Sequence, residues 1–335
     1  MAKLRMNQAI AEAMRREMTA DPTVMLMGED VAVAQGVFKT SEGLLGEFGE
    51  SRVRDTPISE MGFLGAGVGA AATGLRPVIE IMFVEFLGVA LDQLVTEAAK
   101  VRYLSGGKFH APLVVRASTG AGAGFGCQHS QTLENWFVGT PGLTVCEASG
   151  ARTAYSLLRA AIRHDDPVVL FEPRALYGVR EEFDPDKVHI ELGRAEVVRT
   201  GDDVTIVALG QTVAAARDAT DRADWSADVI DLLTLQPWDR HAVLESVAKT
   251  GRLVVAEESP YSGGWGSAIV AEVALQAYQS LRAAPFRITA PDVPVPFGRH
   301  LEEAYVPSVD RIGEDVGTFL ESGTPPRPWW EGISA

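Results

Sequence analysis

Residues 55–83 read DTPISEMGFLGAGVGAAATGLRPVIEIMF. Met61–Thr73 is so rich in Gly and Ala that it predicts a tightly packed helix, and Pro77–Phe83 (PVIEIMF) predicts a buried strand. Gly62, Gly65, Gly67 and Gly69 superficially suggest a dinucleotide loop. That loop should follow a strand directly and open a helix, with an acid about 20 residues on. Here TPISEM precedes the glycines, and they run through the helix itself. A glycine inside a helix costs about 1 kcal/mol against alanine, a cost that close packing of another backbone would offset. Close packing is therefore preferred over phosphate binding.

Outward from this stretch, helix and strand signals alternate. Met6–Thr19 carries Met6, Ile10, Ala13 and Met14 at helical spacing, and Val24–Gly28 (VMLMG) reads as a buried strand followed by Glu29 and Asp30. Val89–Tyr103 reads as a helix and Leu113–Ala117 as a strand leading into the small-residue run Gly120–Gly126. Thr144–Cys146 is a strand, Ala151–Arg163 a helix and Val168–Glu172 a strand. The polar, Pro-containing stretch Arg180–Glu191 breaks the pattern, and a second alternating set follows. Its strands are Val204–Leu209, Asp228–Leu233, Leu253–Ala256 and Phe286–Thr289; its helices are Thr212–Asp221, Arg240–Lys249 and Gly266–Tyr278. Such alternation implies α/β architecture, with parallel sheets covered on both faces. At 335 residues the chain suits two domains. The expected division is 1–185, a linker 186–200, and 201–335.

Hydrophobic residues make up 46% and charged residues 22%, a globular balance, and the net charge is −15. No basic run marks a nucleic-acid partner. The acidity reads either as a solvated surface or as attraction for a basic partner protein. Two cysteines, Cys127 and Cys146, make no disulfide framework or metal spacing, so a reduced cytoplasmic setting is expected. The charged, amphipathic N-terminus does not read as a signal peptide, and no run of about 18 apolar residues would span a membrane.

Glu60 lies just before the small-residue helix. On spacing alone it is either a helix-capping acid, favoured there by the helix dipole, or a buried carboxylate that holds or moves a proton. His129, in GFGCQHSQTLENWF, follows a Gly/Ala run that permits close approach. Gln128, Ser130 and Gln131 beside it can donate and accept hydrogen bonds. It reads equally as a structural or a functional histidine. Glu29 and Asp92 are acids beside or within apolar segments; burial would demand partners or shifted proton affinities. GxSxG is absent, which argues against a serine hydrolase.

Taken in order, DTPISEMGFLGAGVGAAATGLRPVIEIMF, LDQLVTEAAKVRYLSGG, QHSQ and PGLTV resemble one family over about Met6–Ile312. It is the beta subunit of the decarboxylating component of 2-oxoacid dehydrogenase complexes, which includes pyruvate, branched-chain and acetoin members. The resemblance implies a pyrimidine-binding domain followed by a transketolase-type C-terminal domain, both three-layer α/β/α, with thiamine diphosphate as cofactor. It implies that Glu60 hydrogen-bonds a ring nitrogen of the aminopyrimidine and so promotes loss of the thiazolium C2 proton. Phe86 matches an aromatic position contacting that ring, and His129 matches the active-site histidine that positions substrate or lipoyl group and transfers protons. Glu29 and Asp92 match acids between paired cofactor sites. Some relatives bind a structural potassium ion, which here would fall to Leu113, Ala161, His164 and Asp166, mostly through backbone carbonyls.

Thiamine enzymes hold diphosphate and magnesium through a GDG motif and a downstream Asn, and no GDG occurs here. A cation on phosphate needs such oxygens. In the family an alpha subunit supplies them, in a heterotetramer of two alpha and two beta chains. The resemblance further implies a second beta subunit packed on the small-residue helix, and acyl transfer to the lipoyl domain of a dihydrolipoyl acyltransferase core. Phe86 stands where branched-chain members often carry tyrosine, which favours pyruvate or acetoin as substrate. A branched-chain beta subunit, a non-catalytic assembly subunit of the same fold, and a nucleotide-binding oxidoreductase are the rival readings.

Overall fold

The computed structural model describes residues Met1–Gly332. The strands, in chain order, are β1 (Ala2–Arg5), β2 (Val24–Gly28), β3 (Val53–Asp55), β4 (Arg76–Ile81), β5 (Val114–Thr119), β6 (Thr144–Glu147), β7 (Val168–Pro173), β8 (Arg180–Phe183), β9 (Glu196–Arg199), β10 (Val204–Ala208), β11 (Ala227–Asp231), β12 (Thr234–Gln236), β13 (Leu253–Pro260) and β14 (Phe286–Ala290). Contacts divide the chain into two units. One comprises 1–120, 136–192 and 234–237; the other comprises 121–135, 193–233 and 238–335.

The first unit is built on a seven-stranded sheet of order β12-β6-β7-β5-β4-β2-β3. All neighbours are parallel except β12, which runs antiparallel to β6 at the edge. Every residue of β2 and of β7 is buried, as a parallel sheet covered on both faces requires. The helix Met6–Ala20 buries Met6, Ile10, Ala13 and Met14 and packs on the helix Ala151–Arg163. Glu17 is buried in that seam, and its carboxylate accepts from Arg159 Nε (2.6 Å) and from Arg163 Nη2 and Nε (2.7 and 2.8 Å).

The small-residue helix spans Glu60–Ala72. A Cβ on Gly67 would come within 2.8 Å of Ile79 Cδ1, and one on Gly65 within 2.8 Å of Gln93 Oε1. Close packing is thus real at these two glycines, but the neighbours are side chains rather than the expected backbone. Gly69 meets nothing within 4 Å, and Met61, Gly62, Ala66, Gly69 and Ala72 are exposed. The single helix expected over Val89–Tyr103 is broken into an α-helix Leu87–Asp92, a π-helical stretch Gln93–Ala98 and a short helix Val101–Leu104. Apolar periodicity does not report a change of helical pitch.

The second unit holds a five-stranded sheet of order β14-β13-β10-β11-β9, parallel except for β9. Its core includes Ile206, Val229, Val254 and Ile288, against which Ile312, Val316 and Phe319 pack. Those three belong to a helix, Val309–Ser322, beyond the last element expected from the sequence. Ser308 Oγ accepts from Arg311 N–H at its start, and Gly323 closes it with φ +67°. The polar stretch Arg180–Glu191 also contains β8, antiparallel to β1. Three charged side chains, none of them buried, conceal such a strand from a search for apolar runs.

Candidate active site

Parallel strands deliver their C-terminal ends to one edge of a sheet, where the loops that follow them gather. In the first unit Gly28, Asp55 and Glu80 lie in register near the ends of β2, β3 and β4. Gly28 lets the β4 backbone approach, since a Cβ there would stand 2.7 Å from the Glu80 carbonyl. The Thr56 N–H donates to the Gly28 carbonyl at 3.0 Å, and Asp55 accepts from the N–H groups of Ala32 (2.6 Å) and Val33 (3.1 Å). These bonds draw the DTPISE segment onto the Gly-Glu-Asp turn.

Glu60 and Glu29 therefore sit close together. Glu60 opens the helix Glu60–Ala72 and is 7% exposed; its carboxylate accepts no hydrogen bond among the described residues. Burial first, then the charges of Glu60 and Asp30, push the Glu29 carboxyl above the usual carboxylate range. Glu29 Oε1 and Thr56 Oγ1 are both buried with no hydrogen-bond partner among the described residues. Two orphaned polar atoms and an unpartnered carboxylate at one strand edge make a receptor for a polar ligand. Asp92 lies on the surface, with the Gln93 amide 3.3 Å away.

Phe86 closes a 3₁₀ turn after β4 and is half-buried. Its ring meets Phe83 edge-on at 5.6 Å, Phe83 meets Phe38 at 6.0 Å, and Phe38 stacks on Tyr177 at 4.8 Å. The Tyr177 hydroxyl donates to Glu172 at 2.8 Å. Behind it lies a buried network that joins residues distant in the sequence. Arg116 donates to Glu172 Oε1 and Oε2 (2.7 and 2.9 Å) and to Glu80 Oε2 (2.8 Å), and Thr40 Oγ1 donates to the same Glu80 oxygen. The two carboxylates keep the Arg116 guanidinium firmly cationic despite its burial. The signal was present: Glu80, Arg116 and Glu172 each interrupt an apolar strand run.

His129 belongs to the second unit. It is half-buried in the loop 120–134, and its N–H donates to the Gly126 carbonyl at 3.2 Å. The neighbouring Ser130 is buried, and its Oγ has no hydrogen-bond partner among the described residues. Cys127 is exposed and free.

The carbonyls of three of the four expected potassium ligands already accept a hydrogen bond within the chain. The carbonyl of Leu113 accepts from Val168 N–H (2.9 Å), that of Ala161 from His164 N–H (3.1 Å), and that of His164 from Arg76 Nη1 (3.0 Å). Asp166 Oδ2 pairs with Arg102, while its Oδ1 is buried without a hydrogen-bond partner among the described residues. A carbonyl keeps a second lone pair, and the charge of Arg76 is matched by Asp165 at 2.7 Å. Among the described residues no group of three or more His, Cys, Asp or Glu side chains is arranged to hold a metal. No described helix is long and apolar enough to cross a membrane.

Comparisons with known proteins agree with this architecture. Residues 2–180 match the family described as transketolase, pyrimidine binding domain, and residues 193–312 match transketolase, C-terminal domain. The pyruvate dehydrogenase E1 component subunit beta of Rhizobium meliloti is 42% identical over 322 residues, covering 94% of this chain and 70% of the relative. Subunit beta-2 of the mitochondrial pyruvate dehydrogenase E1 component of Oryza sativa is 43% identical over 317 residues, covering 92% and 84%. The acetoin:2,6-dichlorophenolindophenol oxidoreductase subunit beta of Cupriavidus necator is 40% identical over 334 residues, covering 96% and 98%. Among solved structures, a split-gene transketolase, described as an inactive beta4 tetramer, superposes with a TM-score of 0.77 at 26% identity, covering 95% of this chain and 98% of that one.

Proposed function

The chain belongs to the family of pyruvate and acetoin dehydrogenase beta subunits, built on the transketolase pyrimidine-binding and C-terminal domains, and from this premise we propose that Glu60 serves the aminopyrimidine of thiamine diphosphate and that His129 serves the reacting carbonyl, in an enzyme completed by an alpha subunit. The observation that carries the proposal is the buried, unpartnered Glu60 carboxylate beside the orphaned oxygens of Glu29 and Thr56. An aminopyrimidine offers ring nitrogens and an amino group to such a set, and the half-buried ring of Phe86 offers it an aromatic contact.

Bound thiamine diphosphate would supply the nucleophile and the electron sink for cleaving a carbon–carbon bond next to a carbonyl. The chain's residues do the rest. Glu60 holds a proton against a pyrimidine nitrogen. Glu29, beside Glu60, is proposed to contact the cofactor and to lie between paired cofactor sites. Phe86 fixes the ring plane, backed by Phe83. His129 orients the reacting carbonyl and moves a proton during acyl transfer to the lipoyl group. Asp92 is proposed to lie between paired sites, and Leu113, Ala161, His164 and Asp166 to bind potassium in the assembled enzyme. Without a GDG motif, the diphosphate and magnesium fall to the alpha subunit. The exposed small-residue face of the helix Glu60–Ala72 is assigned to the second beta subunit, and the acidic surface to the acyltransferase core. The substrate class is pyruvate or acetoin, which the two kinds of relative act upon by name; the branched-chain reading is not favoured. The setting is the cytoplasm. The neighbouring split-gene transketolase, described as an inactive tetramer of beta chains, favours the expectation that this chain alone does not turn over.

The test is reconstitution with an alpha subunit carrying GDG. The pair should decarboxylate pyruvate or cleave acetoin, and the beta chain alone should not. Glu60→Gln should lower the reconstituted rate by about 10²–10⁴-fold, the usual share of a proton-transfer group, with assembly intact. Full rate in that variant would remove Glu60 from the chemistry.

A further inference from the structure

The loop that carries His129 is built from glycines in left-handed conformation. Gly120, Gly122, Gly124 and Gly126 have φ of +84°, +97°, +76° and +70°. Successive N–H groups in such a backbone can converge on one anion. The anion here is a side chain of the same unit. Glu302, on the helix Arg299–Tyr305 and 3% exposed, accepts from the Gly122 N–H at 2.8 Å. It also accepts from the Gly124 N–H at 3.2 Å (Oε1) and 3.0 Å (Oε2). The adjoining Ala121 N–H donates to Glu258 at 2.5 Å, and the Gln211 amide bonds the same carboxylate. Beyond His129, Ser259 Oγ donates to Glu134 at 3.3 Å.

A buried carboxylate needs compensation, usually from a cation. None pairs with Glu302 among the described residues, so the glycine amides are its partners. The same segment reaches the loop a second way: a Cβ on Gly126 would stand 2.7 Å from the Phe297 ring. Gly126 also accepts the His129 N–H. The backbone of residues 122–126 is therefore fixed by the segment 297–302, and His129 follows it directly.

We propose that Glu302 is a positioning residue that sets the placement of His129 through the amides of Gly122 and Gly124. This rests on the reading that His129 serves the reaction, and the experiment separates the two. In the full-length chain, Glu302→Ala should speed amide hydrogen exchange across residues 121–129 at least about 10-fold, with the strands of the first unit unchanged. Glu302→Gln, which keeps one acceptor oxygen, should show a smaller effect and guards against a variant that does not fold. In the reconstituted enzyme, Glu302→Ala should lower kcat by about 10–100-fold, the scale of an ångström's misplacement of a catalytic group. Placed on His129→Ala, it should lower kcat no further than about 2-fold, because residues acting as one unit are non-additive. Unchanged loop exchange, or losses that multiply in the double variant, would overturn the proposal. A fully active His129→Ala would instead sink the role of His129, while the exchange measurement still decides the clamp.

Discussion

The guanidinium of Arg116 grips the carboxylate of Glu172 with two parallel bonds, 2.7 and 2.9 Å long, inside the first unit's sheet. Both side chains are 1% exposed. Such a pair contributes little over an apolar replacement, but removal of one partner strands the other. Arg116→Met should thus lower stability by about 3–5 kcal/mol, read from the chemical denaturation midpoint of the full chain. Glu80 and Glu172 would then be buried without their cation and hold protons more tightly than in the unfolded chain. Groups with raised folded affinity stabilise at low pH and cease to as pH rises. The deficit of Arg116→Met should therefore shrink on acidification. A deficit independent of pH would show that the network carries no such charge.

Glycine substitutions separate packed from open positions. Gly142 has φ +101°, and a Cβ there would lie 2.0 Å from the Ala99 carbonyl oxygen. Gly142→Ala should destabilise by more than about 1 kcal/mol, through both strain and clash. Gly69 has open space, so Gly69→Ala should stabilise the isolated chain by about 0.5–1 kcal/mol. If the outer face of that helix meets a second beta subunit, Gly69→Leu should weaken self-association measured by sedimentation without lowering the melting temperature of the chain. Undiminished association would remove this face from the interface.

Glu29 and Glu60 repel one another at the strand edge. Because Glu29's folded proton affinity is raised, its contribution to stability is present below its unfolded pKa and lost as pH rises through the folded one. Glu29→Gln should make the chain slightly more stable than the parent at pH 7, by less than about 1 kcal/mol after solvent screening. The gain should vanish near pH 4. Carboxyl titration by NMR gives a second readout, since Glu60→Gln should lower the Glu29 pKa.

Glu134 is buried beside Glu258 and Glu257, and its carboxyl is pushed up to about 7, first by burial and then by these charges. The sign is the same: its stabilising effect is complete below the usual carboxylate range and is lost as pH rises through about 7. The denaturation midpoint should fall between pH 5 and pH 8, with Glu134 contributing up to about 3 kcal/mol. Glu134→Gln should flatten part of that slope. Glu257, likewise raised to about 7, would sustain the remainder. An unchanged slope in Glu134→Gln would place the titration elsewhere.

The alternating architecture is legible in the chain's residue order, because buried parallel strands must be apolar runs, as VMLMG and VVLFE are. That order located the helix that begins at Glu60, flagged the glycine-rich approach to His129, and made the missing GDG visible. These are local properties of composition and order. It did not reveal the helix Val309–Ser322, although Ser308, Ile312, Val316, Phe319 and Gly323 spell its cap, buried face and stop. Nor did it reveal that Glu80, Arg116 and Glu172 would meet, because neighbouring strands in a parallel sheet come from distant parts of the chain. Only the tertiary structure seated Glu29 against Glu60, through the register of β2 and β3. It also brought Glu302 to Gly122 across 180 residues and Glu258 to Ala121 across 137. Burial creates these partnerships: a carboxylate removed from water takes whatever donors the fold brings to it, and no local pattern records which those will be.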